Sequence, residues 1–125
     1  MATVNKTGFG HLNSVDLDAS TLTLSLTAHS GKVVNVLQTA TLTLPAVGTM
    51  HRYIVRVGKA GITVTISPAA ADLIAGAGAS NAGAGTDNKD VIFTNQPAGS
   101  YIVLEYGDAN GWAIVESLGT FTFEA

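Results

Sequence analysis

The sequence predicts an all-β domain, an antiparallel sandwich or barrel of the jelly-roll or β-tulip kind. Three observations carry this expectation. Apolar and polar residues alternate strictly over several short stretches, the period-2 pattern of a half-buried strand. Thr is abundant, with 15 copies in 125 residues, while charged residues make up only 12%, a balance that favours strands over helices. Gly, Pro, Asn and Asp punctuate these stretches about every ten residues, and no segment sustains a helical period over that length.

Residues 1–19 come first and lack sustained periodicity. Phe9, His11, Leu12, Val15 and Leu17 stand among polar residues, so the segment reads as an N-terminal arm ordered by a partner, ahead of a single β domain over 20–125. Strict alternation begins at Thr21-Leu22-Thr23-Leu24-Ser25-Leu26-Thr27, which puts three leucines on one face and hydroxyls on the other. His29-Ser30-Gly31-Lys32 is a turn, and Val33-Val34-Asn35-Val36-Leu37 is the next strand. Thr41-Leu42-Thr43-Leu44 follows and stops at Pro45, which cannot donate to a ladder.

Arg52 to Val57 and Ile62 to Ser67 are two further strands. The four residues between them, Gly58-Lys59-Ala60-Gly61, suit a hairpin connection. Asp72-Leu73-Ile74-Ala75 is a short strand or turn. The Gly/Ala-rich run 76–85 is a long exposed loop. Strands resume at Asp90–Thr94 and Tyr101–Tyr106. Asp108-Ala109-Asn110-Gly111 forms a turn with Gly111 in the left-handed region, and Trp112–Ser117 pairs back. Thr120–Glu124 is a last short strand.

The length fits one domain. A net charge of −3 provides no basic patch for nucleic acid and no basic amphipathic stretch for a membrane surface. No run approaches the ~18 apolar residues of a membrane span, and residues 1–10 lack the apolar core of a leader peptide. Without cysteine there are no disulfides, thiolate metal sites or thiol nucleophiles. So weakly charged a surface suggests that other chains cover part of it.

The candidate chemistries fail one by one. His11, His29 and His51 are scattered without metal-ligand spacing and are expected in exposed loops. His29 and Ser30 are adjacent in a turn, a poor geometry for a base and nucleophile, and no Gly-x-Ser-x-Gly elbow is present. Glu105 and Glu116 could face each other across the final hairpin, an arrangement more often solvated than catalytic. The Gly/Ala run lacks the Lys-Ser/Thr of a phosphate loop and the third Gly of a dinucleotide site. Asp87 to Asp90 offers too few oxygens for a calcium loop. No catalytic residue, cofactor or metal is expected. Trp112, with Tyr101 and Tyr106 nearby, is expected in the core or at a subunit contact, with a sugar-stacking platform as the alternative.

From Leu26 to Trp112 the chain resembles a β module of tailed-bacteriophage virion proteins. The matching residues are Leu26 to Val33, Thr41-Leu42-Thr43-Leu44-Pro45, Arg52 to Val55, Ile62 to Ile66, Asp72 to Gly76, and Gly111-Trp112. Such modules occur in head decoration (cement) proteins, head fibres and tail fibres or spikes, and they commonly form trimers. The resemblance implies a homotrimer on the outer capsid surface that grips the major capsid protein and stabilises the shell. It implies no enzymatic activity and no direct contact with nucleic acid or membrane. A short chain without a fibrous shaft fits a decoration protein better than a trimeric fibre or spike module. A carbohydrate-binding β domain is the third possibility. On this reading Phe9, Leu12, Val15 and Leu17 of the arm would touch the capsid, and Trp112, Phe121 and Phe123 would pack between subunits.

Overall fold

The computed structural model describes residues 13–46, 51–69, 72–76, 90–108 and 111–124. Its strands are β1 (Ser14–Leu17), β2 (Thr21–Thr23), β3 (Val33–Val36), β4 (Ala40–Thr43), β5 (Arg52–Val57), β6 (Thr63–Ser67), β7 (Leu73–Gly76), β8 (Val91–Thr94), β9 (Tyr101–Asp108), β10 (Gly111–Leu118) and β11 (Thr122–Phe123), with one short helix, α1 (Leu26–His29). They form two sheets. Sheet A has the order β1-β3-β5-β9-β10-β7, and sheet B the order β11-β8-β6-β4-β2.

The protein is all-β, but its sheets are mixed rather than antiparallel, and neither closes into a barrel. The cause is the path of the chain. From β1 to β6 it changes sheet after every strand, so each return to a sheet repeats the direction of the previous visit. Hence β1, β3 and β5 are parallel neighbours in sheet A, and β2, β4 and β6 are parallel neighbours in sheet B. Antiparallel pairing enters only where β9 and β10 complete one sheet and β8 and β11 the other.

This path corrects the expected hairpin at residues 58–61. β5 pairs with β3 and β9, whereas β6 pairs with β4 and β8, so the connection is a corner between sheets. Gly61, with φ of 86°, occupies the left-handed region there, where a side chain would be strained. The final hairpin forms as expected, with β9 antiparallel to β10.

The winding stacks like on like. Thr21 pairs with Thr41 and Thr41 with Thr65. Leu22, Leu42 and Ile66 form the next row, and Thr23, Thr43 and Ser67 the third. In sheet A the rows Val15-Val34-Val55 and Leu17-Val36-Val57 do the same. Because side chains alternate faces along a strand, the apolar rows of both sheets point into one shared core. Leu42, Ile66, Val34, Val36, Phe93 and Leu104 are essentially sealed from solvent.

Two further expectations change. The leucine alternation continues through Leu24, which is buried, but then breaks: Ser25 caps α1 by accepting the Ala28 amide at 3.2 Å, and Leu26 is left exposed. The proposed arm is not uniform either. Residues 14–17 are β1, paired in parallel with β3, and Leu17 is part of the core. Val15 and Leu17 belong to the body of the fold because their alternation matches that of Val34 and Val36 on the adjacent strand.

Candidate functional site

The two sheets turn chemically opposite faces outward. No strand residue of sheet B is charged: the strands read TLT, ATLT, TVTIS, VIFT and TF. With Leu22, Leu42 and Ile66 directed inward, the outward positions of the parallel strands are Thr21, Thr23, Thr41, Thr43, Thr65 and Ser67, all exposed or half-buried. Adjacent rows lie ~4.8 Å apart across strands, and successive outward residues ~6.6 Å apart along them. The result is a regular hydroxyl lattice of five threonines and one serine, and the β-branched threonines have few rotamers to lose.

Sheet A carries the charges. On its outward side Asn35 Nδ2 donates to Asp16 Oδ1 at 3.2 Å, and Arg56 Nη1 donates to Asn35 Oδ1 at 2.6 Å, a polar row across three strands. Arg52 forms an ion pair with its cross-strand neighbour Glu105, and the Tyr101 hydroxyl donates to Glu116. The Glu116 hydrogen bond is the main reason the Tyr101 phenol is held above its ordinary value. Among these polar groups lies a small apolar cluster of Val33, Ile54 and Val103, with Tyr101 packed against it. The two glutamates do not face each other. Glu105 is opposite Ala113 and Glu116 is opposite Val103, so the two stand in different rows of the hairpin.

The residues expected to contact partners do not converge on one patch. Phe9 and Leu12 lie outside the described residues. Val15 is half-buried on β1, and Leu17 is buried beneath it. Trp112, only 3% exposed, is a core residue in edge-to-face contact with Tyr53 at a centroid distance of 5.4 Å. It therefore offers no exposed platform for a sugar. Phe121 and Phe123 are half-buried and pack beside Phe93, with centroid distances of 5.5 Å for Phe93–Phe121 and 5.8 Å for Phe121–Phe123.

Tyr53 Oη and Trp112 Nε1 are both buried and have no hydrogen-bond partner among the described residues. An unpaired buried hydroxyl costs about 1–3 kcal/mol, so Tyr53→Phe, which keeps the ring, is expected to leave stability unchanged or raise it by about 1 kcal/mol. Urea unfolding of the two proteins measures the difference; a loss of stability above about 1 kcal/mol would show that the hydroxyl is satisfied.

His29, expected in an exposed loop, is buried at the end of α1, and its Nδ1 accepts the Ser25 amide at 2.9 Å. Burial lowers its pKa below 6.5, and Lys32 lowers it further. The unfolded chain therefore binds this proton more readily than the folded one. The contribution of neutral His29 is present above pH ~6.5 and falls as the pH drops from there through the lowered folded value. The stability difference between wild type and His29→Gln should accordingly shrink on acidification over that interval, as followed by thermal melts across pH. The other described histidine, His51, places Nδ1 3.4 Å from Ser30 Oγ. Among the described residues no three His, Cys, Asp or Glu side chains are grouped to hold a metal.

Sequence reasoning missed the two-faced surface. Its signal was the recurrence of Thr-Leu-Thr at 21–23 and 41–43 and of Thr-Ile-Ser at 65–67. That recurrence becomes a lattice only once parallel register aligns it. No family model and no curated protein matches the chain.

Proposed function

We propose that this protein is a non-enzymatic structural module of a tailed-bacteriophage virion, a decoration protein that lays the outer face of sheet B against the head shell. The absence of charge from every strand of sheet B carries the reading, set against the ionic outer face of sheet A. Covering an unpaired charge in an interface costs several kcal/mol, whereas hydroxyls can be re-paired and methyl groups gain from burial. The centres of protein interfaces are depleted in charge for this reason. The outer face of sheet A, with its satisfied Asp16-Asn35-Arg56 row, is suited to remain in water. The resemblance of Leu26–Trp112 to virion β modules supports the same reading and suggests trimers on the outer capsid surface bound to the major capsid protein.

A face-reversal experiment tests this. Thr41→Lys combined with Thr65→Lys places two ammonium groups at the centre of the lattice, on outward positions where folding should tolerate them. The double variant is expected to fold with an unchanged circular dichroism spectrum and to lose at least about tenfold in co-sedimentation with heads that lack the protein, since one desolvated charge suffices for that factor. Undiminished binding would overturn the assignment of this face. Deleting residues 1–19 is not an equivalent test, because it removes β1 and with it Leu17 from the core.

A further inference from the structure

The helix α1 carries the chain from β2 in sheet B to β3 in sheet A, and a histidine meets each of its two capping serines. Ser25, the N-cap, donates its amide to His29 Nδ1 at 2.9 Å, while its hydroxyl accepts the Ala28 amide at 3.2 Å. Ser30, the C-cap, places Oγ 3.4 Å from His51 Nδ1. The single turn closes where the His29 amide donates to the Ser25 carbonyl at 3.0 Å. Backbone hydrogen bonds fix the chain on both sides of this segment. The Leu24 amide donates to the Thr43 carbonyl of β4 at 2.8 Å, and the Gly31 amide donates to the Arg52 carbonyl of β5 at 2.7 Å.

The two histidine contacts respond differently to a proton. A backbone amide can only donate, so His29 Nδ1 must accept, and the hydrogen of the neutral ring sits on Nε2. The imidazolium carries hydrogen on both nitrogens, so no ring flip restores an acceptor. The Ser25 amide would then face another N–H at a side chain that is only 8% exposed, and a buried donor left unpaired is unfavourable. Ser25 Oγ, 3.5 Å from Nδ1, can accept from the imidazolium, yet the amide stays opposed all the same. Ser30 meets His51 through a hydroxyl, which both donates and accepts, so that contact survives protonation.

The surrounding charges do not favour the imidazolium. Lys32, between α1 and β3, acts on His29 with a charge of the same sign, and among the described residues no carboxylate offsets it. On the side of β5, His51 meets Ser30 rather than His29, and Arg52 is paired with Glu105.

We infer that α1 is an acid-opened clasp: a proton on His29 Nδ1 releases the Ser25 amide, and residues 25–30 unwind between the Leu24 and Gly31 anchors while both sheets stay paired. This goes beyond a loss of global stability, because the opening is confined to one corner between the sheets. It holds whatever the outer face of sheet B binds.

An NMR titration of the full chain from pH ~8 to ~5 tests this, with the His29 ring and the Cα shifts of residues 24–33 followed together. The open-to-closed ratio should rise by up to about tenfold for each unit below pH ~6.5, until the lowered value of the closed state is reached. The Cα shifts of Leu26 to His29 should move from helical towards random-coil values with the midpoint of the His29 ring, while Leu24, Gly31 and Val33 keep theirs. His29→Asn offers an amide oxygen near the place of Nδ1 and cannot titrate, so it should hold α1 closed throughout. His51→Asn should open as wild type does. Helical shifts that stay constant down to pH ~5, whether or not the ring takes up a proton, would overturn the inference. So would a transition that persists in His29→Asn, or one in which Leu24 and Gly31 move in step with α1. If His29→Asn does not fold, the ring and helix midpoints of the wild type still decide: coincidence supports the clasp, and separation refutes it.

Discussion

Replacing Gly111 by Val is expected to be among the most damaging single substitutions in this protein. Gly111 begins β10 and pairs with Leu73 of β7. A Cβ at this position would land on the Leu73 carbonyl oxygen, with the carbonyl carbon and the Leu73 amide nitrogen each 2.9 Å away. The obstruction is backbone, so no rotamer change relieves it. Either β7 separates from β10 or the start of β10 moves, and Trp112, the next residue, moves with it. A cost of about 3 kcal/mol or more follows from forced overpacking plus the loss of β7 pairing. Against a total stability of about 5–15 kcal/mol this is a large share, and urea titration should show the midpoint falling steeply. Gly111→Ala separates causes. It carries the same Cβ and should cost nearly as much as Val, whereas a cost confined to Val would place the problem beyond the Cβ.

Truncating Leu42 to Ala should cost about 3–4 kcal/mol. Leu42 is completely buried and sits in the middle of the row Leu22-Leu42-Ile66, with a strand on each side holding its backbone in place. A strand fixed on both sides cannot collapse into the void, so the cavity penalty adds to the lost transfer energy. Leu22 makes the comparison. It occupies the same row on edge strand β2 and is only half-buried, so Leu22→Ala should cost clearly less. Equal costs at both positions would contradict the row assignment. Parallel measurement by chemical denaturation decides it.

Strand positions were largely legible because a half-buried strand writes its burial into the sequence with period two. Thr41 to Leu44, Arg52 to Val57, Ile62 to Ser67 and the β9–β10 hairpin could be read directly from that period. Partnership could not. The links between β5 and β6 and between β9 and β10 are both short and contain small or polar residues. The first nevertheless turns a corner between sheets while the second closes a hairpin. Alternation shows which residues face a core, and it is silent about which strand lies alongside. Gly111 illustrates the same gap: it was expected to serve a left-handed turn, yet it does not adopt positive φ, and its necessity comes from the nearness of Leu73.

The candidate surface divides in the same way. The scarcity of charge and the wealth of threonine were plain from composition and pointed to a covered surface. Which residues share that surface was not, since Thr21, Thr41 and Thr65 are distant in sequence and meet only through parallel register.

By itself, the order of amino acids determined that this chain is built of strands with one apolar side, that it contains no cysteine, and that few of its residues are charged. Tertiary structure alone decided that the chain winds between two sheets, and that the strand charges collect on one outer face and the threonine hydroxyls on the other. The physical reason is range. Side-chain alternation is a property of neighbouring residues, whereas strand partnership is settled by whichever long-range arrangement buries all the apolar sides at once.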